Sequence, residues 1–184
     1  MMPVRSKEKV EVKKKKTEAV IETPVDLSFL PEEYLSRINE ILDAYLGLGM
    51  KYSNMEMVDD NTPSFPNSMS SLSSPELGDV LGKYTSWYSF AIDKSKYIAV
   101  ALNFIEEELK DALDDELGGL VKEKGNIEAK KSAARATTSY RTILQYAQRL
   151  RGMKIMLDSE LDNYDKCIST LSREVSRREH SGGF

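Results

Sequence analysis

Apolar residues recur along the second half of the chain at alternating steps of three and four. Twelve of the fourteen positions in this series are apolar, and the exceptions are Lys154 and Arg178. The series comprises Ala133, Ala136, Tyr140, Ile143, Ala147, Leu150, Lys154, Leu157, Leu161, Tyr164, Ile168, Leu171, Val175 and Arg178. Because an α-helix brings residues at this spacing onto one stripe, the pattern predicts a single helix over residues 133–178 that packs on another helix.

A second long helix is predicted over residues 75–117. It starts with a serine cap at Ser74, followed by Pro75 and Glu76 in the first turn. Apolar residues then recur every seven positions in neighbouring rows. The rows are Leu77, Tyr84, Ala91, Ile98, Ile105 and Ala112; then Leu81, Trp87, Tyr88, Leu102, Leu109 and Leu113; and on the flank Phe90, Tyr97 and Phe104.

Gly118 and Gly119 end this helix, and a short segment ending at Gly125 and Asn126 provides a turn. Two long helices joined by so short a turn run antiparallel. The predicted fold is therefore all-α, a long coiled-coil-like antiparallel hairpin. The row that contains Phe90 makes the apolar face wider than one partner needs, so we expect a short N-terminal helix and another subunit to cover it.

The chain outside the hairpin domain of residues 75–180 divides into four segments. Residues 1–22 are rich in lysine and poor in bulky apolar residues, which is typical of a disordered basic arm. Residues 23–49 hold apolar residues at helical spacing and predict a short amphipathic helix. Residues 50–74 are rich in Ser, Pro and Asn and predict a linker, and residues 181–184 predict a flexible tail.

The composition is typical of a soluble protein with one domain and tails. The chain has 184 residues, of which 30% are charged and 40% hydrophobic, and a formal net charge of −4. Its single cysteine, Cys167, flanks the apolar stripe and is expected to pack there. No apolar run approaches the ~20 residues that span a bilayer, and no secretory leader is evident, so we expect a cytoplasmic protein.

Charge is distributed unevenly along the two long helices. Residues 106–116, the acidic block, carry a net charge of −6, and residues 122–154 carry +7. An antiparallel hairpin would bring the acidic block alongside residues 122–135, so we expect Lys122, Lys124 and their neighbours Lys130 and Lys131 to pair with it. The remaining cations lie farther from the turn and are expected to be freer to bind phosphate. These five residues, the basic strip, are Arg135, Arg141, Arg149, Arg151 and Lys154.

The basic strip and the N-terminal arm together predict a surface for single-stranded nucleic acid. Cationic side chains meet phosphates, and nearby aromatic rings could stack on bases. The lysines of the arm are Lys13, Lys14, Lys15 and Lys16. An ordinary solvated helix face is the alternative interpretation of the strip, and a helix-ending role is the main interpretation of the arginines near residue 178.

No catalytic signature is present in the sequence. It has no phosphate-binding glycine loop, no dinucleotide fingerprint after a strand and no paired-cysteine metal motif. His180 is the only histidine, and the acidic block lacks the Glu-x-x-His pairing of helical metal sites. We therefore expect a protein that is not an enzyme and that binds neither metal nor cofactor.

The hairpin resembles the UvsY-type recombination mediators of tailed phages. The resemblance covers residues 75–180 and rests on the sequence Lys-Tyr-Thr-Ser-Trp at 83–87, on Thr-Ser-Tyr-Arg-Thr-Ile-Leu-Gln-Tyr at 138–146, and on the order of the two helices. It implies a ring-like homo-oligomer in the host cytoplasm that binds single-stranded DNA and contacts a RecA-type recombinase and single-strand binding protein. This chain departs from that family in two respects. The acidic block occupies the end of the first long helix, where the family is typically basic. The first 74 residues are also longer than the N-terminal part of the family's usual layout.

The sequence favours a non-enzymatic, oligomeric recombination mediator that binds single-stranded DNA and assists recombinase loading. The residues expected at the oligomer interface are Trp87, Phe90, Tyr97, Phe104, Leu150 and Leu157. The alternative is a helical structural, assembly or adaptor protein, such as a component of a phage particle, that acts only through protein contacts. A further alternative is a regulatory module whose basic arm recognises an acidic protein.

Overall fold

The computed structural model describes residues 25–47, 64–120 and 125–182, apart from the side chain of Leu46. Within these ranges four α-helices follow one another: α1 (Glu32–Gly47), α2 (Ser74–Gly119), α3 (Ile127–Ala136) and α4 (Thr138–Gly182). A short 3-10 helix, Met69–Ser71, precedes α2. The described residues contain no β-strand, which confirms the all-α prediction.

Helices α2 and α4 form the predicted antiparallel hairpin. Polar contacts join the two helices in reverse order, because Ser95 Oγ donates to Asp158 Oδ1 at 3.2 Å and the Arg151 guanidinium contacts Glu106 Oε1 at 2.6 Å. Each helix is about 70 Å long at ~1.5 Å per residue. The pair buries the apolar stripes read from the sequence, since Leu77 and Ile105 of α2 and Leu150 of α4 are fully buried.

The buried residues fall into two hydrophobic clusters along the hairpin. The first lies toward the turn and combines α2 and α4 with α1; its buried members are Leu27, Leu30, Ile38, Leu42, Tyr97, Ile98, Ala101, Ile105, Ile143, Ala147 and Leu150. The second lies toward the open end, with Leu77, Tyr84, Ala91, Tyr164 and Leu171. Leu157 packs against both clusters. The fold therefore has two cores joined along one helix pair.

Helix α1 supplies the third layer that the flanking aromatic row requires. Tyr34 of α1 meets the ring of Phe104 edge-on, with 5.5 Å between the ring centroids. Ile38 is fully buried in the same cluster, and Tyr97 of the aromatic row is only 1% exposed. Part of the wide apolar face is thus covered within one chain.

The prediction of one continuous helix over residues 133–178 was wrong at its start. Thr137 separates α3 from α4, with an extended backbone at φ −64° and ψ 151°. Its hydroxyl donates to the carbonyl of Ala134 and accepts from the backbone N–H of Tyr140 at 3.3 Å, so it ends one helix and caps the next. The register shifts at this point, which buries Ala134 and leaves Ala133 and Ala136 exposed.

The start of α2 also differs by one residue from the prediction. Ser73, not Ser74, is the N-cap: its backbone N–H and hydroxyl both donate to Glu76 Oε2 at 2.7 Å. The Glu76 backbone N–H in turn donates to the Ser73 hydroxyl, which completes a capping box. Residues 64–73, at the end of the predicted linker, pack on the hairpin, since the Phe65 ring lies 6.2 Å from that of Tyr84.

Candidate nucleic-acid interface

The break between α3 and α4 at Thr137, which we call the elbow, has one exposed arginine on each side. Arg135 belongs to the last turn of α3 and Arg141 to the first turn of α4. Both side chains are exposed, and neither makes an ion pair or hydrogen bond with another residue in the described ranges. Thr138 and Ser139, in the first turn of α4, are exposed as well. The elbow therefore presents two arginine side chains that no acidic side chain in the described ranges neutralises.

The other three members of the basic strip have partners, contrary to the expectation that they would be free. Arg151 donates twice to Glu106 Oε1, at 2.9 Å from Nε and 2.6 Å from Nη2. The Lys154 ammonium donates to both carboxylate oxygens of Asp158. Arg149 lies over the ring of Phe29, with its guanidinium carbon 4.0 Å from the ring centroid.

Glu106, the first residue of the acidic block, does not lie where the predicted turn would have put it. The helix between the turn and the elbow shifts the register of the hairpin, so Glu106 meets Arg151 and not residues 122–135. Lys131 pairs within its own helix with Glu128 at 3.5 Å. Lys122 and Lys124 lie outside the described residues, as do Lys13 to Lys16 of the arm. Glu106 of the block therefore pairs across the hairpin with Arg151 of the basic strip.

A second acid of the block faces the short helix. Glu108 lies near Tyr34 of α1, and burial, together with the neighbouring carboxylates of Glu108 and Glu33, raises the pKa of the Tyr34 phenol. In the described part of the chain no three acidic, histidine or cysteine side chains are grouped closely enough to hold a metal ion. Glu106 and Glu108 of the block thus contribute contacts to the fold.

A polar layer separates the two hydrophobic clusters. Ser95 of α2 is buried and donates to Asp158 of α4, which also accepts from Lys154. Asp93, two residues before Ser95, is buried and pairs with Lys96 at 3.2 Å. Lys154 occupies a position of the apolar heptad, where a polar residue fixes the register of a helix pair at some cost in stability. This layer accounts for the interruption in the heptad.

The six residues predicted at the oligomer interface occupy different environments. Tyr97 and Leu150 are 1% and 0% exposed, so both are already covered within the chain, in the first cluster. Phe104 and Leu157 are half-buried against the same core. Trp87 is half-buried in the second cluster, and Phe90 is half-buried beside it, with 6.1 Å between the ring centroids.

Phe90 also carries a cation above its ring. Lys94 Nζ lies 4.1 Å from the Phe90 ring centroid. Burial of the Lys94 ammonium lowers its pKa. The side chains of this pair are therefore held by local contacts on α2.

Cys167 packs in the second cluster, as the sequence indicated. It is half-buried and carries a free thiol. Its neighbour Tyr84 is buried, and desolvation, together with the thiol of Cys167, raises the pKa of the Tyr84 phenol to about 12. The Tyr84 phenol is therefore uncharged at neutral pH, as an apolar core requires.

The sequence analysis missed the apolar residues on the outer side of α4. Ile155 and Met156 are 70% and 72% exposed and lie on the side opposite the fully buried Ala147 and Leu150. The apolar heptad drew attention to the buried stripe alone. The feature of the sequence that could have predicted this exposed apolar surface is the presence of two adjacent apolar residues outside the buried stripe.

Fold and surface together define an all-α protein built on a helical hairpin, with a short third layer and a cationic elbow. No protein-family model, curated protein or solved structure matches this chain. None of the described helices has both the length and the apolar character needed to cross a lipid bilayer.

Proposed function

We propose that this protein is a non-enzymatic, oligomeric mediator of recombination that binds single-stranded DNA at the elbow. The observation that carries the proposal is the pair Arg135 and Arg141, which is exposed and without charge partners in the described ranges. Uncompensated arginines bind phosphate well, because no internal ion pair has to break first. The basic arm of residues 13–16 would add contacts to the same strand.

Two further features support a strand-binding role at this place. Lys130 and Lys131 belong to α3, within two turns of Arg135, so the cations cluster along a short stretch of chain. Tyr140 is half-buried at the start of α4 and leaves part of its ring accessible for a base to contact. Recombinase and single-strand binding protein would be the protein partners, as the resemblance to UvsY-type mediators implies, in the cytoplasm of the host cell.

The test is a fluorescence polarisation titration of a labelled oligothymidine at several salt concentrations. The wild-type chain is expected to bind at low salt and to lose affinity steeply as salt rises. Arg135→Ala together with Arg141→Ala should weaken binding about tenfold at low salt and reduce the magnitude of the salt slope by about 1.4, since each phosphate contact on a single strand contributes roughly 0.7.

Arg173→Ala is the control, compared with Arg135→Ala and Arg141→Ala taken singly, because each of the three removes one cation. Arg173 is an exposed arginine of α4 near its far end, and its side chain has no partner in the described ranges. Its removal changes the net charge in the same direction but leaves the elbow intact, so the affinity should stay close to that of the wild type. An equal loss in the control would indicate that only overall charge matters. Absence of binding by the wild type at low salt would refute the proposal.

A second candidate function is an assembly or adaptor protein that acts through protein contacts alone. It is favoured by the net charge of −4 and by the pairing of Arg151 and Lys154 with acids, which leaves fewer cations for a strand. On this alternative the arginine substitutions at the elbow would leave function unchanged. A charge introduced on an apolar contact surface would instead abolish it.

A further inference from the structure

The outer side of α4 carries a stripe of residues that has no charge over about five helical turns. We call this the outer stripe; it comprises Gln145, Gln148, Gly152, Ile155, Met156, Ser159 and Asn163, all exposed. These residues recur at steps of three and four, so they lie on one face of the helix, opposite its buried heptad. In a chain with 30% charged residues, a helix face exposed to water along this length would be expected to carry charges.

The centre of the outer stripe is the most apolar exposed surface of the described chain. Ile155 and Met156 are adjacent there, at 70% and 72% exposure. Gly152 lies one turn before them, and a Cβ atom at that position would meet nothing within 4 Å. The chain's own packing therefore does not require this glycine, although glycine lowers helix stability relative to alanine. A glycine beside an apolar pair allows a second helix to approach closely.

The charges on either side of the outer stripe identify a second copy of this chain as the occupant. Arg149 and Glu160 border one side, and Arg151 and Asp162 border the other. Suppose two copies of α4 cross antiparallel about a two-fold axis between Ile155 and Met156. Each side of one helix then faces the same side of the other helix, and the residues along the second helix run in the opposite order. Arg149, which stacks on Phe29, would also approach Glu160 of the second copy, and Arg151, which donates to Glu106, would approach its Asp162 as a second carboxylate.

We propose that two copies of this chain associate through the outer stripes of their α4 helices, antiparallel and centred on Ile155 and Met156. The charges permit this pairing, whereas a parallel pairing would place like charges side by side. The inference specifies the oligomeric part of the proposed function and does not depend on strand binding. A contact of two single helices is at the small end of specific interfaces, so we expect a dissociation constant on the order of 10 µM.

Solution mass as a function of protein concentration tests the association. Ile155→Glu combined with Met156→Glu should raise the dissociation constant at least about tenfold, because it places four carboxylates at the two-fold axis. Asn103→Glu, an exposed position on α2, is the control and should dimerise as the wild type does. Circular dichroism of the double variant should match the wild type, since both side chains are exposed. A wild-type chain that stays monomeric well above this concentration would overturn the inference, as would a double variant that still dimerises normally.

Disulfide cross-linking tests the direction of the pairing. In a Cys167→Ser background, Ile155→Cys lies next to the axis and should form a disulfide-linked dimer with itself. Lys166→Cys should not, because its two copies would be ~30 Å apart in an antiparallel pair, far beyond disulfide reach. Gln145 precedes the midpoint by as many residues as Lys166 follows it. A mixture of Gln145→Cys and Lys166→Cys chains should therefore cross-link, and self-linking of Lys166→Cys would contradict the antiparallel arrangement.

The same variants separate failure of this inference from failure of the strand-binding proposal. The Ile155 and Met156 double variant keeps Arg135 and Arg141, so its monomer should still bind oligothymidine at low salt. The Arg135 and Arg141 double variant keeps the outer stripe and should still dimerise. Loss of dimerisation in both variants would show that the outer stripe is not the specific contact.

Discussion

Arg178 joins the far end of α4 to the segment that leads into α2. Its guanidinium donates to the backbone carbonyls of Met69 and Leu72 at 2.6 and 2.7 Å, and it pairs with Glu174 at 2.8 Å. The Met69 carbonyl also accepts from the Leu72 backbone N–H, so the arginine adds a second hydrogen bond there and supplies one to the Leu72 carbonyl beyond the 3-10 helix. The heptad placed Arg178 on the buried stripe of α4, and this position is what directs it toward α2.

Glu174 makes the open end of the hairpin sensitive to acid. Hydrogen bonds from Arg177 and Arg178 lower the pKa of its carboxyl group from 4.5 to about 2. A depressed pKa in the folded state contributes stability that is fully present above pH 4.5 and is lost as the pH falls through about 2. Glu174→Gln should therefore lower the melting temperature at neutral pH. Between pH 5 and pH 2, the melting temperature of this variant should fall by less than that of the wild type.

Thermal unfolding at a series of pH values measures this effect. Glu179→Gln is the control, because Glu179 is an exposed glutamate of α4 whose side chain has no partner in the described ranges. The control should keep the wild-type pH dependence. A Glu174→Gln variant with the same acid transition as the wild type would show that this carboxylate does not contribute to acid sensitivity.

At the scale of single helices, the ends of the helices depend on side-chain hydrogen bonds that an apolar pattern does not reveal. Ser73 and Ser74 both precede Pro75, and either could have capped α2 on composition alone. The structure assigns the cap to Ser73 through its reciprocal bonds with Glu76. Ser73→Ala should therefore lower the free energy of unfolding by about 1 kcal/mol, the usual cost of losing a serine cap.

Ser74→Ala is the matched comparison for that substitution. Ser74 is the first residue of α2 and is exposed, so its loss should change the free energy of unfolding by less than about 0.5 kcal/mol. Urea denaturation monitored by circular dichroism measures both variants. Equal effects, or a larger effect at Ser74, would contradict the capping box.

The helix bodies could be predicted from the sequence, but the elbow and the pairing register could not. Leu77, Tyr84 and Ile105 are buried as their seven-residue spacing predicts, because that spacing fixes the face of a helix. Thr137 was included in a continuous helix because threonine is tolerated in one. Its hydroxyl instead bonds to the backbone on both sides, which ends the helix and changes the register.

That change in register explains why the candidate site was predicted only in part. The sequence analysis placed the acidic block opposite residues 122–135 and left Arg151 without a partner. With α3 at the turn, Glu106 faces Arg151 across the hairpin. Arg135 and Arg141 border the elbow and have no such partner in the described ranges. They are therefore the members of the predicted basic strip that remain as candidates for binding phosphate.

At the scale of the whole molecule, the proposed dimer contact and the proposed strand-binding elbow occupy different stretches of α4. The inner face of the helix pair is used within the chain, and α1 covers Tyr97 and Phe104 beside it. The outer stripe lies on the opposite side of α4 from that core. The elbow lies at the start of α4, so two antiparallel copies of this helix would place their elbows at opposite ends of the dimer.

The mass of the full-length chain in solution, with and without an oligothymidine, tests the account most directly. At concentrations above about 10 µM the account predicts a particle of twice the chain mass, and a heavier particle that carries DNA when the oligothymidine is added at low salt. A particle of single chain mass that takes up no DNA under the same conditions would contradict both the assembly and the proposed function.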